Sequence, residues 1–273
     1  MQNIKYEKLK EILTNIGSLV VAYSGGTDST LLLKVAHEVL GNKVVAITAV
    51  SASLPAADCA EAEQIARQIG VKHILVESEE TSNPEYLANT PNRCFFCKKE
   101  TYGKLTAYAE QNGFQTIVDG TNADDIGDYR PGRQAARDYN VRSPLLEAGF
   151  TKAEIRQLAK ELGLTNWDKP AAACLASRIP YGTTITLEAL SQVERAEALL
   201  HGLGLRQLRV RHHGQVARIE AEPGDFTHLL EHRTEIVATL KTIGYAYVTL
   251  DLAGFRSGSM NDVIQKQRVD NPS

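Results

Sequence analysis

From residue 18 to residue 120 short apolar runs alternate with amphipathic stretches, and this alternation limits the fold more than any other feature. "SLVVAY" (18–23), "KVVAITA" (43–49), "HILVE" (73–77) and "TIVDG" (116–120) have the length and apolar content of buried strands. Residues 29–40, 56–69 and 97–112 carry apolar side chains at helical spacing, and the second of these stops at Gly70. Strands separated by helices pair in parallel, with helices covering both faces of the sheet. Ligands of such sheets bind beyond the carboxyl ends of the strands.

The second half changes rhythm. "TKAE" (151–154) is a capping box that starts a helix ended by Gly163. A helix over 187–203, strands over 206–212 and 215–221 with a tight turn at His213-Gly214, a helix over 225–242 and a strand over 245–251 make a small α-β-β-α-β unit. The expected architecture is α/β: a parallel-sheet domain over 1–178, then a smaller α+β domain over 179–273, joined near residues 175–185. The tail after Met260 is polar and expected to be loosely held.

A net charge of −3 and a pI near 6.2 provide no broad field for nucleic acid or an acidic membrane, so any anion site must be local. No apolar run approaches the ~18 residues of a membrane span, and no signal-like block is present. A cytoplasmic protein with neither a membrane nor a nucleic-acid partner is expected. In that compartment cysteines serve as metal ligands or catalytic groups more often than as disulfides. Of the four, Cys94 and Cys97 lie together in "NRCFFCKKETY" (92–102), a spacing that suits a redox pair, half a metal site or core packing. Cys59 reads as a packed helix residue. His37, His73, His201, His228 and His232 show no ligand-like spacing and read as structural or exposed.

"YSGGTDS" (23–29) falls between the first strand and first helix, where backbone N–H groups and the helix dipole favour an anion. Gly25 and Gly26 admit close approach, Ser24 and Ser29 supply hydroxyls, and Asp28 suits Mg²⁺. It is not a Walker loop, since no G-x-x-x-x-G-K-[ST] occurs. The string resembles the PP-loop of the ATP pyrophosphatases, with their adenine nucleotide α-hydrolase-like fold. That resemblance implies ATP-driven adenylylation of a substrate oxygen, followed by displacement of AMP.

"DGTNADDIGDYRPG" (119–132), "AAACLASRIPYGT" (171–183), "RVRHH" (209–213) and "VTLDLAGFRSGSMN" (248–261) narrow the likeness. With the loop they resemble the LarE family of sulfur-inserting enzymes along essentially the whole chain. The resemblance implies conversion of the carboxylates of pyridinium-3,5-biscarboxylic acid mononucleotide to thiocarboxylates, toward the nickel-pincer cofactor of lactate racemase. It places Cys174 at the sulfur-transfer centre and Ser177, Arg178, Arg209 and Arg211 on the substrate phosphate. It also implies a homo-oligomer, trimer or hexamer, in which Arg256 serves an interface or a neighbouring site. Asp119 and Asp124 suit nucleotide or Mg²⁺ contacts, or equally turn and cap roles, and Arg130 suits phosphate. Glu197 and Glu220 suit a metal-binding face, though exposed charges are the simpler expectation.

Members with three cysteines matching Cys94, Cys97 and Cys174 hold a [4Fe–4S] cluster, and single-cysteine members sacrifice the thiol matching Cys174. The implied cofactors are therefore ATP, Mg²⁺ and the cluster, with the donor that reloads sulfur unspecified. Zinc, a redox pair, a tRNA thiolase and a nucleotide-binding module without turnover stay open as alternatives.

Overall fold

β-Branched and apolar residues run without interruption through Leu19–Ala22 (β1) and Val44–Val50 (β2), which form the middle of a parallel sheet completed by Lys72–Glu77 (β3) and Thr116–Val118 (β4) in the order β3-β2-β1-β4. The computed structural model describes residues 4–127, 131–170, 173–256 and 258–259. Arg130 and the tail after Met260 lie outside the described residues. The chain divides into two compact units, Met1–Tyr86 with Pro91–Ala172, and Leu87–Thr90 with Ala173–Ser273.

In the first unit the helices are Ile4–Ile16 (α1), Thr27–Leu40 (α2), Ala56–Ile69 (α3), Pro84–Leu87 (α4, reaching the boundary), Arg93–Asn112 (α5), Gly132–Asp138 (α6), Pro144–Ala148 (α7) and Lys152–Glu161 (α8). Side chains alternate across a strand, and the two faces of β1 and β2 bury into different layers. Leu19, Val21, Val44 and Ala46 pack with α1, α2 and α8 through Leu9, Leu13, Leu31, Ile155 and Leu158. Val20, Val45 and Ile47 meet Tyr102, Leu105 and Ala109 of α5. Full burial of each such leucine contributes on the order of 1.5–3 kcal/mol. The expected capping box is formed: Thr151 accepts from the Glu154 backbone N–H, and the Glu154 carboxylate accepts from the Thr151 N–H.

Helix α5 begins four residues earlier than its periodicity predicts, so the C-x-x-C segment is helical. Phe95 packs against the α5 layer of the core and draws this first turn onto the sheet.

In the second unit Leu187–Gly202 (α9) leads to an antiparallel pair, Leu208–His213 (β5) and Val216–Ala221 (β6), with Tyr247–Leu250 (β7) parallel to β6. The single helix expected over 225–242 is two, Phe226–Glu231 (α10) and Arg233–Ile243 (α11), which meet at His232. The segment 87–90 belongs here because Asn89, wholly buried, donates through Nδ2 to the carbonyls of Ile179, Pro180 and Thr183 at 3.1, 2.8 and 3.1 Å. Among the described residues no helix is long and apolar enough to cross a membrane.

Candidate active site

The phosphate loop leaves β1 and enters α2 with Gly26 at the N-cap. Gly25 has φ +70°, and a Cβ there would meet the Ala62 Cβ at 2.7 Å, so α3 presses directly on the turn. Gly120, after β4, lies so close that a Cβ would fall 2.9 Å from the Ser29 nitrogen. Only glycine lets these three chain segments meet. The Ser24 and Ser29 hydroxyls are 3.2 Å apart, and Ser29 Oγ donates to the Gly26 carbonyl at 3.1 Å. Buried Asn166 fixes the loop from outside, its Nδ2 donating to the Gly25 carbonyl at 3.0 Å and to Thr30 Oγ1 at 2.9 Å. Thr27 Oγ1 donates to the Asn166 carbonyl at 2.9 Å. The result is a preorganised row of N–H donors at a helix start, suited to a pyrophosphate.

Asp28 accepts from Lys152 Nζ at 2.6 Å, so a lysine does reach the loop, from α8 rather than from the loop's own sequence. Lys169 bridges Asp58 at 2.9 Å and Glu61 at 2.6 Å on α3. Asp119 is buried beyond β4 and accepts from Tyr102 Oη at 3.1 Å, Ser143 Oγ at 2.7 Å and the Thr121 N–H at 3.1 Å. Asp124 is exposed and accepts at 2.8 Å from the Lys152 N–H at the start of α8.

Cys94 and Cys97 stand one turn apart at the start of α5, on one helix face. All four cysteines of the chain are described, and none is in a disulfide. Arg93 Nη2 lies 4.0 Å from Cys94 Sγ. Lys98 Nζ sits 5.6 Å from the Tyr102 ring. Tyr102 first, then Cys97, Asp119 and Cys94, push Lys98 above the ordinary lysine range, so its charge is held beside both thiols.

In the second unit Cys174 precedes a 3-10 turn, Leu175–Arg178. Arg178 is buried, and its Nη1 donates to the carbonyls of Ala173 and Cys174, the latter at 3.0 Å, and to Ser177 Oγ at 3.0 Å. The other side of its fork holds Glu197. Arg211, also buried, donates to Glu220 at 2.9 and 2.7 Å, to Ser259 Oγ at 2.8 Å and to the Ser177 carbonyl at 3.0 Å. Arg209, on the same strand face, stays half-buried over the Phe255 ring at 5.3 Å. Glu197 and Glu220, expected as exposed charges, are instead 6% and 0% exposed, because each neutralises a buried arginine.

No family model matches the chain. It is 40% identical over 266 residues to a pyridinium-3,5-bisthiocarboxylic acid mononucleotide synthase of Lactiplantibacillus plantarum, covering 97% of this chain and 96% of that protein. The chain belongs to the LarE family. An uncharacterised protein of Synechocystis sp. is 46% identical over 97% of this chain and its own full length. A tRNA-specific 2-thiouridylase of Treponema denticola is 27% identical over 56% of this chain, which places the LarE fold among the PP-loop enzymes.

Seen as a LarE chain, the sequence hid several groups that shape the site. Lys152 carries a capping-box signature and nothing that points to Asp28. Asn166 is a lone polar residue in "LTNWD" (164–168), with no local pattern to mark it. Glu197 sits on an amphipathic helix, and its burial follows only from the arginine it meets.

Proposed function

We propose that this chain is an ATP-dependent sulfur insertase that converts carboxylates of pyridinium-3,5-biscarboxylic acid mononucleotide to thiocarboxylates, toward a nickel-pincer cofactor. The observation that carries the reading is the SGGTDS turn at the start of α2, in a chain similar along 97% of its length to a synthase named for that product. A substrate carboxylate oxygen attacks the α-phosphorus of ATP, the bond to the β-phosphate oxygen breaks, and pyrophosphate leaves. A sulfur nucleophile then attacks the acyl carbon, and AMP departs with the electrons of the C–O bond.

Ser24, Gly25, Gly26 and Ser29 hold the departing pyrophosphate. Asp28 offers a carboxylate to Mg²⁺, and the Lys152 ammonium beside it offsets phosphate charge. Asp119 and Asp124 frame the nucleotide from β4 and from the start of α8. Ser177 and Arg209, both half-buried, take the substrate phosphate. Arg178 and Arg211, tied to Glu197 and Glu220, position the turn that carries Cys174.

The thiols fit an iron–sulfur donor set: two stand one helical turn apart beside a lysine, a third starts a loop, and none is in a disulfide. Cys94, Cys97 and Cys174 would hold a [4Fe–4S] cluster, which when bound supplies the sulfide to be transferred. Three protein thiolates leave one iron site for an exogenous ligand.

The test is anaerobic turnover with ATP and the pyridinium mononucleotide, after loading with iron and sulfide. Substrate-dependent pyrophosphate release and repeated thiocarboxylate formation are expected, with repetition lost in Cys94→Ala and Cys97→Ala. No pyrophosphate release would sink the whole reading. A single turnover that leaves dehydroalanine at position 174 would replace the cluster route with sacrifice of Cys174.

A further inference from the structure

Helix α10 and the residue that ends it carry His228, Glu231 and His232, an H-x-x-E-H string apart from the phosphate loop and the cysteines. Residues three and four apart share a helix face. A ligand-capable atom from each of the three lies within 4.8 Å of the other two, and the imidazole centroids are 4.4 Å apart. His228 and His232, expected to be structural or exposed, thus do have a ligand-like spacing.

The imidazoles are oriented from the backbone. His228 Nε2 lies 2.8 Å from the Leu203 carbonyl, and His232 Nδ1 lies 3.0 Å from the His228 carbonyl. A carbonyl only accepts, so those two nitrogens carry the protons, and His228 Nδ1 and His232 Nε2 keep their lone pairs. One ring nitrogen donating to a carbonyl while the other stays open is the arrangement found around metal-bound histidines. Both rings are half-buried. Glu231 is exposed and forms no hydrogen bond or ion pair among the described residues, which leaves its carboxylate available.

We propose that His228, Glu231 and His232 form a divalent-metal site that takes a first-row ion such as Zn²⁺ or Ni²⁺. Two imidazoles with one carboxylate suit such ions better than Mg²⁺ or Ca²⁺, which prefer all-oxygen shells. Three protein ligands leave a coordination position for water or another group. Bound there, the ion ties the end of α10 to the start of α11, and through the His228 ring to Leu203 just beyond α9. The site is independent of the sulfur chemistry proposed above.

Thiols also bind zinc, so the experiment uses the full, tag-free chain carrying Cys94→Ser, Cys97→Ser and Cys174→Ser. Calorimetric titration with Zn²⁺ should show one equivalent bound and a rise in Tm. Affinity should fall at least roughly tenfold in Glu231→Gln and roughly a hundredfold in His232→Ala, since even outer-shell changes cost 10–100-fold at metal sites. Glu231 is exposed, so its variant reports on the site even where a histidine variant disturbs the helix junction. No zinc uptake by this triple-serine parent, or equal affinity in both variants, would overturn the assignment.

Discussion

Arg178 grips Glu197 in a bidentate pair along one edge of its guanidinium, Nε to Oε1 at 2.9 Å and Nη2 to Oε2 at 2.8 Å, with the two side chains only 4% and 8% exposed. Glu197 Oε1 also accepts from the Val210 N–H at 2.9 Å. One carboxylate thus joins α9, β5 and the turn after Cys174. Removing either partner leaves an uncompensated buried charge, which costs about 3–5 kcal/mol. Glu197→Ala and Arg178→Ala should each lose that much in urea denaturation. Arg178→Lys should recover little, because an ammonium cannot span the fork and the carbonyls together. A loss below about 1 kcal/mol for all three would show that the ion pair is not holding the turn.

Gly25→Ala combines a left-handed backbone, which costs a side-chain-bearing residue about 1–2 kcal/mol, with the contact against Ala62 at 2.7 Å. Gly120→Ala has an ordinary backbone, but its Cβ would press on the loop's own backbone, 2.9 Å from the Ser29 nitrogen, 3.1 Å from the Ser29 Cα and 3.2 Å from the Asp28 carbonyl carbon. The first should lower Tm markedly. The second should chiefly weaken ATP binding, read by nucleotide titration, because it pushes the β4 turn off the phosphate loop.

The Lys152–Asp28 pair is 30% and 25% exposed, so it contributes little to stability, about 1 kcal/mol or less. Lys152→Ala should fold normally and still lose most substrate-dependent pyrophosphate release. Wild-type release with an intact fold would remove Lys152 from the phosphate-binding groups.

Glu154 is held down to about 2, first by Lys5, then by the Thr151 backbone N–H. Its folded value is below the ordinary carboxyl value of 4.5, so its stabilisation is complete above that pH and fades as pH falls toward about 2. The side chain is 40% exposed, which keeps the effect near 1 kcal/mol. Glu154→Gln should therefore be less stable than wild type at pH 6 by denaturant titration, with the gap narrowed at pH 3 and closed only toward pH 2. A pH-independent gap would contradict this origin.

Burial, then Glu63, pushes the Cys59 thiol up, whereas Cys94 is exposed. Brief iodoacetamide treatment of the metal-free protein should label Cys94 well before Cys59 by peptide mass analysis. The reverse order would show that α3 opens at its first turn.

How much the sequence disclosed depends on how far each signal reaches along the chain. Strand and helix periods and the Thr151 box are local, and β1, β2 and α3 fall where their patterns predict. The glycine-rich turn from β1 into α2 was legible because its residues are consecutive. The expected start of α5 fell short because the anchoring of Phe95 is a tertiary contact. Glu197 and Glu220 looked like solvated charges because their arginines lie 19 and 9 residues away. Lys152 meets Asp28 across 124 residues, and no local pattern encodes such a meeting.

The hook made by Asn89 has a topological consequence. The backbone passes from one unit to the other after residue 86, back after residue 90, and over again after residue 172. One protease cut after residue 172 would sever 173–273 from the rest of the chain yet leave residues 87–90 of the smaller unit on the larger one's polypeptide. A fragment beginning at Ala173 would strand the carbonyls of Ile179, Pro180 and Thr183 without their shared donor. The smaller unit is stitched into the larger one, so it cannot be lifted out as a cassette.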